Sequence, residues 1–157
     1  MEKIIVIGCP GSGKSTFSRA LYDITGIPLY HLDMMFWNAN KTIVDKHVFL
    51  ERLSAVLEKD KWIIDGNYGS TMELRLKKCD TVFFLDYPLD VCLDGVKERL
   101  GSPRSDMSWI ETEEDAEFIE FIKKLMSNKD RRLWSFSINT EIKTLLFLQA
   151  ENKRINF

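Results

Sequence analysis

The glycines at 8, 11 and 13, followed by Lys14 and Ser15, carry the spacing G-x-x-x-x-G-K-S across Gly8-Cys9-Pro10-Gly11-Ser12-Gly13-Lys14-Ser15. These residue types in this order suit the holding of phosphate. Glycine reaches positive φ at no steric cost, so the backbone can wrap closely around an anion. The N–H groups of such a wrap, and of the helix that follows, direct partial positive charge at phosphate oxygens. Lys14 adds a full charge for the β- and γ-phosphates, and the Ser15 hydroxyl is placed to ligate Mg²⁺. Thr16 supports the α-phosphate side. Gly8, Pro10, Gly11, Ser12, Gly13, Lys14, Ser15 and Thr16 are therefore the expected nucleotide-binding segment. Cys9 either fills a variable loop position or gains reactivity from the nearby helix N-terminus.

Three carboxylates offer further chemistry, each closing an apolar run: Leu32-Asp33, Ile64-Asp65 and Leu85-Asp86. The elements that must position them follow from the hydrophobic pattern. Ile4 to Ile7, all β-branched, predict a buried strand before the loop. Phe17, Leu21 and Ile24 predict a helix over 15–24, stopped at Gly26. Further strands are expected at 28–32, 62–64, 81–85 and 144–148. Asp45 is expected to cap a helix carrying Phe49, Leu53, Val56 and Leu57. A short helix over 71–78 carries Arg75. Asp90 caps a helix with Cys92, Val96 and Leu100 on one face, and Thr112 one with Phe118, Ile119, Ile122, Leu125 and Met126. Residues 34–42 are expected to be a loop, 128–130 an interruption, and 149–157 a short helical tail. Strands alternating with helices, most of them continuous apolar runs, imply an α/β fold whose parallel sheet is covered on both faces. Ligands of such sheets bind beyond the carboxyl ends of the strands, where loop and carboxylates converge.

The chain has 157 residues and a net charge of −2, which suits one domain, residues 1–157, and gives no general pull toward nucleic acid. No stretch approaches the ~20 apolar residues that span a bilayer. Met1-Glu2-Lys3 leads straight into the first strand, so no signal peptide is expected. Cys9, Cys79 and Cys92 lack paired spacing and are expected to be reduced thiols in a cytoplasmic protein.

At this point the sequence resembles the adenylate-kinase-like branch of the P-loop kinases. It is more closely similar to the bacterial family labelled DNA topology modulation, or FlaR-like, proteins. The resemblance rests on His31-Leu32-Asp33 with Phe36-Trp37, on Trp62-Ile63-Ile64-Asp65-Gly66-Asn67-Tyr68, on Arg75-Leu76 and on Arg104-x-Asp106-Met107. It implies a P-loop NTPase fold, a five-stranded parallel sheet in the order 2-3-1-4-5 with helices on both faces, and a helical lid inserted at roughly 100–132. It implies ATP and Mg²⁺ as cofactors, with Asp65 holding metal-bound waters; a structural cap on the next turn is the other reading of Asp65. Arg99 and Arg104 match arginines brought over the nucleotide, Arg131 or Arg132 a later one, and Gln149 to Asn152 the segment touching adenine. Ser105 replaces a proline that many members carry, which loosens the lid turn. The acidic run Glu111, Glu113, Glu114, Asp115 and Glu117 implies that Arg104 is partly paired.

A carboxylate at Asp33 would repel an acceptor phosphate but accept a proton from an acceptor hydroxyl. Arg75 points the other way, as a clamp on an acceptor phosphate, or else forms a surface ion pair. Phe36, Trp37 and Tyr68, beside Gly66, either wall a flat acceptor or belong to the core. His31 and His47 read as structural. Two functions are in competition. One is an ATP- and Mg²⁺-dependent kinase of a nucleoside, nucleotide or hydroxylated metabolite. The other is a nucleotide-dependent regulatory protein associated with DNA topology, which calls for a basic stripe with interleaved aromatics. The sequence offers only the dispersed pairs Lys77-Lys78, Lys123-Lys124, Arg131-Arg132 and Lys153-Arg154, which favours the kinase. Oligomeric state is not legible.

Overall fold

Alternate residues of β1 (Lys3–Gly8) point to opposite faces of the sheet, and both faces are covered. Ile5 and Ile7 join Trp62, Ile64 and Val82 under Phe49, Leu53, Val56 and Leu57 of α3 (Lys46–Leu57). Ile4 and Val6 join Ile63, Phe83 and Leu85 under Phe17 and Leu21 of α1 (Lys14–Thr25). Each such side chain, fully buried, contributes about 1.5–3 kcal/mol. A third cluster, Cys9, Cys92, Val96 and Ile122, ties the glycine loop to α5 (Leu89–Glu98) and α6 (Ala116–Ser127).

The computed structural model describes residues 1–127 and 144–149. Its strands β2 (Leu29–His31), β3 (Trp62–Asp65), β1, β4 (Thr81–Leu85) and β5 (Thr144–Leu148) form one sheet in the order β2-β3-β1-β4-β5, every pair parallel. The register sets Val6 and His31 opposite Asp65, and Gly8 opposite Leu85, so the loop leaves the sheet level with the strand ends. Among the described residues no helix is long and apolar enough to cross a membrane.

Local structure departs from expectation where short-range patterns are weak. Residues 34–42 do not begin as a loop: α2 spans Leu32–Phe36, because turning at His31 brings Leu32, Met35 and Phe36 to the core at helical spacing. Asp33 therefore sits in a helical first turn instead of at a strand end. The short helix over 71–78 is a 3-10 turn, Gly69–Thr71, running into α4 (Met72–Leu76). Asp45 occupies the first cap of α3 without a side-chain bond. Pro88 precedes α5, leaving Asp90 in its first turn. Asp115, not Thr112, caps α6, its Oδ1 accepting the Phe118 N–H at 3.0 Å. The interruption at 128–130 and the tail beyond Gln149 lie outside the described residues.

Candidate active site

The loop between β1 and α1 has positive φ at Gly11 (81°) and Gly13 (83°). A Cβ on Gly11 would overlap the Cys92 carbonyl, and one on Gly95 would overlap the Gly11 carbonyl, so this glycine pair lets α5 pack directly on the loop. Asn67 grips the first glycine from the end of β3: its Nδ2 donates to the Gly8 carbonyl at 2.8 Å and its Oδ1 accepts the Gly8 N–H at 3.2 Å. Sequence reasoning gave neither Asn67 nor Gly95 a role, since both act through contacts distant in the chain. Lys14 folds back, Nζ donating to the Cys9 carbonyl at 3.1 Å. Ser12 Oγ is buried without a hydrogen-bond partner. A cradle of glycine backbone with an orphaned hydroxyl and a neighbouring ammonium fits a phosphate.

The strap formed by residues 100–115 lies on this loop. Ser15 Oγ donates to Asp106 Oδ2 at 2.6 Å, and Arg19 Nη1 donates to Ser105 Oγ at 2.8 Å. Arg104 holds Asp106 with a two-pronged fork, Nε to Oδ1 at 3.0 Å and Nη2 to Oδ2 at 2.8 Å, and donates to Glu111 Oε2 at 2.9 Å. Arg99 pairs with the same Glu111 at 2.8 Å, so Arg104 is paired as the acidic run implied. Burial alone would raise the Asp106 pKa, but the Arg104 fork and the Ser15 hydroxyl outweigh it and hold the carboxyl far below the usual range. Arg131, Arg132 and Asn152 lie outside the described residues.

On the β2–β3 side the Tyr68 hydroxyl donates to Asp33 Oδ1 at 2.6 Å, and His31 Nδ1 stands 2.9 Å from Asp65 Oδ2. Burial raises the Asp33 pKa and the Tyr68 hydroxyl partly restores it; Asp65, Lys14 and Asp106 are all near enough for their charges to act on Asp33. Phe36 and Tyr68 pack on the core, with ring centroids 4.9 Å apart. Trp37 stands further out, edge-on to Trp109 of the strap at 5.6 Å. Asp86 closes the far side, accepting the Gln149 amide at 3.2 Å.

Arg75 differs from both expectations. Its side chain is wholly buried, and its guanidinium donates to the carbonyls of Gly66, Asn67 and Tyr68 instead of facing solvent or a ligand. Burial brings its pKa down to about 10. The turn it holds is unusual: Gly66 has φ 135° with a Cβ position 3.0 Å from the Leu32 Cβ, and Tyr68 has φ 26°. A bulky residue at positive φ is strained, and three charge-assisted bonds to the turn's carbonyls oppose that strain.

Among the described residues no group of three or more His, Cys, Asp or Glu side chains could hold a metal ion by itself. The oxygen donors Ser15 and Asp106 nonetheless fit Mg²⁺, which takes one or two protein ligands together with phosphate oxygens and water.

The sheet order and the loop define a P-loop kinase fold. Shikimate kinase from Bacteroides thetaiotaomicron superposes with a TM-score of 0.59 at 21% identity, covering 92% of this chain and 84% of that one. A gluconokinase from Sinorhizobium meliloti gives 0.56 at 15% identity, covering 97% and 84%. In sequence, adenylate kinase from Thermotoga maritima is 30% identical over 102 residues, 60% of this chain and 46% of that protein. Cytidylate kinase from Sulfolobus acidocaldarius is 28% identical over 153 residues, 87% of this chain and 78% of that protein. The chain spans about half the length of the adenylate kinases it matches. No family model matches it. These relatives and neighbours together support a place in the P-loop kinase superfamily.

Proposed function

We propose that the protein is an ATP- and Mg²⁺-dependent kinase that phosphorylates a hydroxyl of a small molecule, such as a nucleoside or a hydroxylated metabolite. The observation that carries this reading is Asp33: a half-buried carboxylate within electrostatic reach of Lys14, one oxygen fixed by Tyr68. The acceptor O–H would give its proton to Asp33 as the acceptor oxygen bonds to the γ-phosphorus. The bond from that phosphorus to the β,γ-bridging oxygen breaks, and ADP leaves. Lys14 would exchange the Cys9 carbonyl for the β- and γ-phosphates. Bound Mg²⁺ supplies charge neutralisation at the phosphates, with Ser15 as a ligand. The strap is read as a lid bringing Arg99 and Arg104 over the nucleotide, and Trp37 with Trp109 as one wall of the acceptor space.

Arg75 is spent on backbone carbonyls, which removes the clamp that a monophosphate acceptor would have needed from it. The shikimate kinase and gluconokinase neighbours are named for hydroxylated acceptors, the adenylate and cytidylate kinases for nucleotides. Within the superfamily we place the chain with the FlaR-like proteins on the strength of its His31-Leu32-Asp33 and Asp65-Gly66-Asn67-Tyr68 motifs. The three cysteines are unpaired and buried, which favours a reducing, cytoplasmic setting. The test is acceptor-dependent ADP release from Mg-ATP across nucleosides, nucleoside monophosphates and hydroxylated metabolites, repeated with Asp33→Asn.

A further inference from the structure

P-loop enzymes hold their cation between the loop hydroxyl and a carboxylate. The sequence pointed to Asp65 for that carboxylate. Asp65, however, faces His31 across 2.9 Å. The carboxylate that meets the Ser15 hydroxyl comes from the strap, 91 residues further along the chain.

We propose that Asp106 is a metal-binding residue delivered by the lid: its carboxylate and the Ser15 hydroxyl together hold the divalent cation, so the metal site is complete only when the strap lies on the loop. This inference rests on the reading of the loop as a Mg-nucleotide site. Three observations carry it. Ser15 Oγ and Asp106 Oδ2 stand 2.6 Å apart, close enough to serve a single cation. In donating its proton to a carboxylate, the hydroxyl turns its lone pairs outward and gains electron density, which suits a hard cation. Finally, Arg104 clasps Asp106 on both oxygens, which fixes the orientation of the carboxylate beside Ser15. Arg104 then acts on the metal site as a positioning residue.

The arrangement couples two events. Cation binding favours the strap-down state, and opening the strap removes a ligand and weakens the cation's hold. A strap that merely latched the loop shut would couple them in the opposite sense, because the cation would have to displace Asp106 from Ser15.

The test uses the full chain, a non-hydrolysable ATP analogue and Mn²⁺ followed by electron paramagnetic resonance. Analogue binding is first measured without metal by calorimetry; failure of the wild type to bind it would remove the nucleotide reading and this inference with it. Given that binding, Asp106→Asn is expected to weaken Mn²⁺ in the ternary complex by at least about 10-fold, the loss usual even for an outer-shell partner, beyond any change in the variant's own metal-free analogue affinity, measured alongside. Adding Ser15→Ala to Asp106→Asn should cost less than the product of the two single losses, since both act on one ion. Mn²⁺ affinity within twofold of wild type in Asp106→Asn, or tighter, would overturn the proposal. Should that variant not fold, amide exchange of the wild type decides. Residues 104–108 should exchange more slowly with analogue plus Mg²⁺ than with analogue alone; equal or faster exchange contradicts the proposal.

Discussion

The Tyr68 hydroxyl donates to Asp33 Oδ1 at 2.6 Å, while Asp33 Oδ2 has no hydrogen-bond partner among the described residues. The pair fixes one oxygen and leaves the other for an acceptor. Because burial raises the Asp33 pKa, the native state disfavours its ionised form. That cost is fully present above the native pKa and vanishes below the unfolded value of about 3.9. Asp33→Asn should therefore melt at a higher temperature than wild type at pH 7, with the gap narrowing as the pH falls toward 4. A lower melting temperature at pH 7 would contradict this. Tyr68→Phe removes the bond that lowers the Asp33 pKa, so the acid limb of kcat/KM should move to higher pH.

Arg75 predicts a different signature. It serves the turn 66–68 through three carbonyls. Arg75→Ala should cost about 3 kcal/mol or more, because charged hydrogen bonds are lost and buried carbonyls are stranded. Chemical denaturation measures this. Any change in acceptor KM at temperatures where the variant is folded should be the same for phosphorylated and unphosphorylated acceptors. A selective rise in KM for a phosphorylated acceptor, with stability intact, would restore Arg75 to the acceptor site.

Three glycines separate packing from conformation. Gly11→Ala and Gly95→Ala each drive a methyl into backbone across the contact between loop and α5. Gly13→Ala meets nothing within 4 Å and pays only for its φ of 83°. The first two should each lose more stability than the third, by about 1–3 kcal/mol in thermal melts. Equal losses would mean that α5 is not seated on the loop.

How legible each part was depends on how local its cause is. Most strands could be read because they are apolar runs, and the loop because its glycines, Lys14 and Ser15 lie within eight positions. The sheet order came from the resemblance, as spacing along the chain does not encode which strands pair. The helix at Leu32–Phe36 was missed because five residues are too few to show a period. Arg75 was misread because a charged side chain ordinarily implies solvent, and only the strained turn around Tyr68 explains its burial. Asp106 stood in a quoted motif without a role, since its partner Ser15 is 91 positions away.

The DNA-associated alternative makes a salt-dependent prediction. Three lysines of the dispersed basic pairs are already engaged: Lys77 with Glu73 at 2.7 Å, Lys78 with Glu58 at 3.1 Å and Lys123 with Glu120 at 2.6 Å. With a net charge of −2 as well, binding to duplex DNA should be negligible at modest salt in a fluorescence-anisotropy titration. Tight binding that falls steeply with salt would favour the regulatory reading.

The most direct test follows the label of γ-³²P-ATP into product, with Mg²⁺ and hydroxyl-bearing acceptors set against nucleoside monophosphates. Transfer to a hydroxyl acceptor is expected, with kcat falling about 10²–10⁴-fold in Asp33→Asn while nucleotide binding is retained. Transfer that survives Asp33→Asn undiminished, or no acceptor-dependent transfer by a protein that binds Mg-ATP, would contradict it.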